Sequence, residues 1–194
     1  MFTVTALTIT LLGTSYAWYE MSNAYTEFSG ISTFSENINS AVIFTSDSSF
    51  SLNTLSGIPT TLDQVMTAQN DENMAANKLT FTMTPNSDVI GNRQVGYQIS
   101  LVNLKIDKEF TETEDLKYRL IETIDSNTSV IEGNFKGVTG NFKILKEMTE
   151  IKEENLDKVH SYEFIIWLQD SNNDQNELMG KNISGTIKVS TALN

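Results

Sequence analysis

The sequence predicts an all-β fold, an antiparallel two-sheet sandwich that is jelly-roll-like and carries one or two short connecting helices. Three observations lead there. Apolar residues recur with period two in short runs, the runs are separated by clusters of Asn, Asp, Ser, Gly and Thr, and no helical pattern alternates with them. With 194 residues, 39% hydrophobic and only two prolines, the chain suits one packed domain that buries roughly 70% of its unfolded surface.

The first segment, residues 1–17 (MFTVTALTITLLGTSYA), is uncharged and apolar through Leu12, and Ser15 and Ala17 are small. That arrangement predicts a signal peptide cleaved after Ala17, although the basic stretch that usually precedes the apolar run is missing. It falls short of the roughly 20 apolar residues a membrane span needs, so membrane contact is expected only if the segment stays uncleaved. Residues 18–194 then form the single sandwich domain, secreted or held at the cell surface.

Each later run has its own reading. In Lys78 to Thr84, Leu79, Phe81 and Met83 share one face. Val95 to Ile106 places Val95, Tyr97, Ile99 and Leu101 on one side and Leu104 and Ile106 in the other register, which predicts a bulge near Val102 or Asn103. Lys117 to Glu122 turns Tyr118 and Leu120 inward. Phe142 to Leu145 is a short strand after the turn signal Gly137 to Gly140. Ser161 to Gln169 is apolar on both faces near its end, as a central strand should be, and is expected to form a long closing hairpin with Asn182 to Ser190. Helical spacing occurs only at Thr61 to Gln69 and in the charged stretch Glu147 to Asp157.

The formal charge of −12 opposes nucleic-acid binding, which depends on Lys and Arg displacing counterions. The absence of cysteine excludes thiol catalysis, zinc-thiolate sites and a disulfide framework. A single histidine, His160, cannot supply the paired imidazoles of a zinc peptidase, and no nucleophile elbow accompanies it, so it reads as a surface or edge histidine. No phosphate-binding glycine motif is present. These features point to a non-enzymatic protein without a cofactor. Asp170, Asn172 and Asp174 begin like a calcium loop, but Gln175 stands where the turn wants glycine and Lys181 where it wants a bidentate glutamate.

The leader ending TSYAWYEMSN, the alternating strands, and the closing YEFIIWLQDSNNDQNELMGKNISGTIKVS with Tyr162, Trp167, Gly180 and Gly185 together resemble the exported β-sandwich proteins of Firmicutes and Mollicutes related to TasA and camelysin. The resemblance implies a jelly-roll-like surface or extracellular-matrix protein. It also implies a fibre subunit in which residues 18–34 add a strand to the next copy, with Trp18, Tyr19, Phe28, Ile31 and Phe34 as anchors. Partners would then be further copies or other surface proteins. The metal-dependent peptidase activity described for camelysin is not carried over, because there is no histidine cluster to hold a metal. Two other readings fit the same composition: a virion structural protein such as a minor capsid or spike component, and a carbohydrate-binding module using exposed Trp18 or Trp167.

Overall fold

The computed structural model describes residues 42–46, 49–54, 57–67, 74–92 and 94–193. Among these residues nine strands lie in two sheets. The five-stranded sheet runs β1 (Val42–Ser46), β3 (Ala76–Pro85), β8 (His160–Leu168), β5 (Leu116–Ile124), β6 (Asn127–Asn134). The four-stranded sheet runs β2 (Ser49–Asn53), β9 (Asn182–Leu193), β4 (Val95–Ile106), β7 (Lys143–Glu150). Every pairing between named strands is antiparallel. Successive strands from β2 to β9 switch between the sheets except at β5–β6, which is the interleaving of a jelly roll, with β1 added beside β3.

Inward residues of both sheets meet in one core built on Phe110, Phe135, Tyr162, Phe164, Met83 and Ile99. Phe81 stacks on Tyr162 with ring centroids 4.8 Å apart, and Phe50 of the other sheet reaches Phe164 at 5.4 Å. The alternation read in β3 and β5 holds, with Leu79, Phe81 and Met83, and Tyr118 and Leu120, all buried. In β4 the ladder to β9 shifts register between Val102 and Lys105, where Asn103 has φ 52° and Leu104 turns into the core. The chain therefore carries the bulge its two apolar registers demand.

Strand β8 is central and buried on both faces for a specific reason. Helix α1 (Leu62–Thr67) lies against the outer face, where Val65 packs on Ile165 and Trp167, with Leu62, Ala76 and Ile121 around them. Two further single-turn helices, α2 (Ser87–Ile90) and α3 (Lys108–Glu112), bridge strands, so there are three short α-helices among the described residues where one or two were expected.

Three expectations are overturned. Residues 147–157 are not helical: they continue β7 to Glu150 and then form one 3-10 turn, Glu153–Asn155. The ladder to β4 and the burial of Leu145 and Ile151 outweigh the local preference of a Glu- and Lys-rich run. Strands β8 and β9 do not form a hairpin, because the intervening segment carries the chain from one sheet to the other. Nor is His160 at the surface: it is 2% exposed, on the inner face of β8.

Candidate functional site

The densest polar chemistry among the described residues sits between the sheets. Period two places Glu122 on the same inward face of β5 as Tyr118 and Leu120, and it delivers a carboxylate to the core. Tyr162 and His160 lie on the inner face of the neighbouring β8, and Tyr97 points at them from β4. Lys146 arrives from β7, opposite a stretch of β4 where the register shifts on either side of Ile99; such an irregularity re-aims a side chain.

These four side chains and Ser129 of β6 converge on the Glu122 carboxylate. Glu122 Oε1 accepts from the Tyr97 hydroxyl at 2.7 Å and from the Tyr162 hydroxyl, and His160 Nδ1 lies 3.2 Å away. Its Oε2 accepts from Lys146 Nζ at 2.6 Å and from Ser129 Oγ at 3.1 Å. Lys146 Nζ also donates to the Tyr97 hydroxyl and lies 4.5 Å from that ring's centroid. On the far side of the imidazole, Nε2 is 3.5 Å from the carbonyl of Asn155 in the 3-10 turn.

Burial alone would push the Glu122 carboxyl up. The hydrogen bonds from His160, Lys146, Tyr162 and Tyr97 outweigh it and hold the group well below the usual carboxylate range. Burial, with the Glu122 charge adding to it, pushes the Tyr97 and Tyr162 phenols far above their ordinary value. Both carboxylate oxygens are thus occupied as acceptors, and the side chains of Lys146 and Glu122 are only 11% and 10% exposed. A filled, enclosed carboxylate makes a poor base for an outside substrate, and the arrangement works instead as a polar staple joining β5 and β8 of one sheet to β4 and β7 of the other.

The residues singled out in the sequence lie elsewhere. Asp170, Asn172 and Asp174 fall on the β8–β9 connection, where Asp170 Oδ1 accepts from the Asn172 amide at 2.9 Å and Asp174 Oδ1 from the Asn176 amide at 3.0 Å. Gln175 is buried and ties the loop to Asp115 Oδ2 at 3.0 Å and to the Gln169 carbonyl at 2.9 Å. Among the described residues no three His, Asp or Glu side chains gather as a metal site. Trp18, Tyr19, Phe28, Ile31 and Phe34, and residues 1–17, which were expected to be a leader, lie outside the described residues. Trp167 is no exposed platform: it is 2% exposed under α1, and its Nε1 donates to Gln169 Oε1 at 3.0 Å.

A shallow concavity of about 410 Å³ lies on the outer face of β3, β8 and β5, lined by Thr80, Thr82, Thr123, Ser161, Glu163 and Ile121. Among the described residues no helix is long and apolar enough to cross a membrane.

No family model matches the chain, and no curated protein matches it. Among solved structures it is similar to a chain in the structure of infectious bursal disease virus Gx strain, at 11% identity and a TM-score of 0.39. That likeness covers 78% of this chain and 31% of the other, so this chain spans about a third of that one. Function must be argued from the chain's own residues.

Two signals for the staple stand in the sequence: Glu122 on the inward parity of β5, and Tyr162 two residues after His160 on the inward parity of β8. Nothing in the order of residues tells that Lys146 joins them.

Proposed function

We propose that the protein is an exported, non-catalytic structural protein of a cell surface or extracellular matrix, assembling by donation of a strand from its N-terminal segment. The observation that carries this reading is the use made of the polar side chains: the cluster around Glu122 within the sandwich ties the sheets together rather than opening to a ligand. The fold class supports it, since jelly rolls serve widely as building blocks of assemblies. Strand donation is chemically sound because an extended segment adds backbone hydrogen bonds at a sheet edge and fills pockets with alternate side chains. In this chain the segment holding Trp18, Tyr19, Phe28, Ile31 and Phe34 leads into β1, an edge strand of the five-stranded sheet.

The same strand order favours a second reading, a virion structural protein, because capsid domains share the jelly-roll architecture. One experiment separates them. Protein recovered from its natural source is imaged by negative-stain electron microscopy, and its N-terminus is determined by mass spectrometry. Filaments of subunits beginning at Trp18 are expected. An intact Met1 within closed icosahedral particles would establish the virion reading, and a cleaved monomer at every concentration would defeat both.

A further inference from the structure

Among the described residues the two sheets end in four edge strands, which differ in how they are defended. Strands β1 and β2 are five residues each, and β7 meets β4 through two register shifts, whereas β6 runs eight residues in unbroken register with β5. Long, regular edge strands invite pairing unless lysine, proline or a bulge blocks them. Asn127–Asn134 contains no lysine and no proline, and at its middle Val130 is 49% exposed.

The β5–β6 hairpin fixes which backbone groups of β6 face outward. Its loop is Asp125–Ser126, closed by the pair Ile124 and Asn127, and Asp125 has φ 54°, as the primed turns of two-residue hairpins require. The closing pair of such a hairpin is hydrogen-bonded, and hydrogen-bonded pairs alternate along the ladder. Ser129 and Ile131 therefore bond to β5, while the N–H and C=O groups of Thr128, Val130 and Glu132 point away from it.

We infer that β6 pairs with β6 of a second copy, antiparallel about a two-fold axis at Val130. This register sets Val130 against Val130 of the second copy and Thr128 against Glu132 of the second copy, and it joins each outward backbone group to another outward group. Like charges are nowhere opposed, and Glu132 is already balanced by Arg119 Nε at 2.6 Å. A contact of this kind is isologous and closes at two copies. It depends on neither the export signal nor strand donation.

The chain has no cysteine, so a single introduced thiol reports on the pairing directly. Hydrogen-bonded antiparallel partners lie about 5.5 Å apart at Cα, within disulfide reach. Full-length Val130→Cys under mild oxidation should yield a disulfide dimer, while Met148→Cys, on the exposed face of β7, should not. In sedimentation velocity, Val130→Lys should lose the dimer while unfolding at the temperature of wild type diluted to monomer, because the side chain faces solvent and the ladder to β5 is untouched. Added salt should favour the wild-type dimer by screening two copies of net charge −12. Equal cross-linking at positions 130 and 148, no cross-linking at 130, or a dimer that survives Val130→Lys would each overturn the inference. So would protection of β6 by the N-terminal segment of another copy, which would leave Val130→Cys unlinked.

Discussion

At the scale of single residues, Glu122 has the most to lose by substitution. Removing one member of a buried ion pair strands the other, at a cost of about 3 to 5 kcal/mol. Glu122→Gln leaves the Lys146 ammonium facing a neutral amide and should lower stability by about 3 kcal/mol in urea unfolding. The double change Glu122→Leu with Lys146→Met removes both charges and should recover much of that loss. Recovery would show that the staple contributes register and specificity more than net stability, whereas a further loss would show that the hydroxyl bonds of Tyr97 and Tyr162 carry the energy. A pH series adds an independent measure. The folded-state pKa of Glu122 lies below its ordinary value of 4.5, so its contribution is complete above that pH and fades as the pH falls through the folded-state value. The urea midpoint of the wild type should fall on acidification below about pH 4.5, and more steeply than that of the double variant. Equal slopes would mean that other carboxylates dominate acid unfolding.

Among elements, helix α1 decides whether β8 remains dry on its outer face. Val65 is 2% exposed against Ile165 and Trp167, so Val65→Ala should open a cavity and cost about 1 to 2 kcal/mol. Trp167 emission should move to longer wavelength as water reaches the indole, and an unchanged spectrum would mean that α1 adapts to fill the gap. Elements also show what the sequence can convey. Runs whose apolar residues alternate, such as those of β3 and β5, declare themselves because local order and tertiary burial agree. Strand β6 does not: its solvent-facing Thr128, Val130 and Glu132 and its lightly buried partners leave no clear alternation, and only the two-residue turn and the ladder to β5 make it a strand. Strand β7 is hidden for a related reason. Its last four residues are exposed on both faces, so the Glu- and Lys-rich pattern reads as helical until β4 supplies the backbone partners. The segment after β8 was equally opaque, because whether a polar loop turns back within a sheet or crosses to the other depends on partners more than 70 residues away.

For the whole molecule, the strand order sets what each truncation removes. Strand β9 lies between β2 and β4, with Phe50 opposite Gly185 and Leu101 opposite Ile187. A chain ending at Gly180 would leave β2 without a ladder and β4 paired with β7 alone, and should show no cooperative thermal transition in calorimetry. A cooperative transition in that variant would mean that the five-stranded sheet folds by itself.

This arrangement also bears on time. A ladder joining residues 49–53 to 182–186 closes a loop of most of the chain, and contacts so distant in sequence make folding slow. During synthesis the four-stranded sheet waits for β9 until residues 182–193 have been made, so the sandwich stays open while everything between β2 and β9 is added. A polypeptide that folds late remains threadable, and the export proposed above would require a channel to take the chain in that open state.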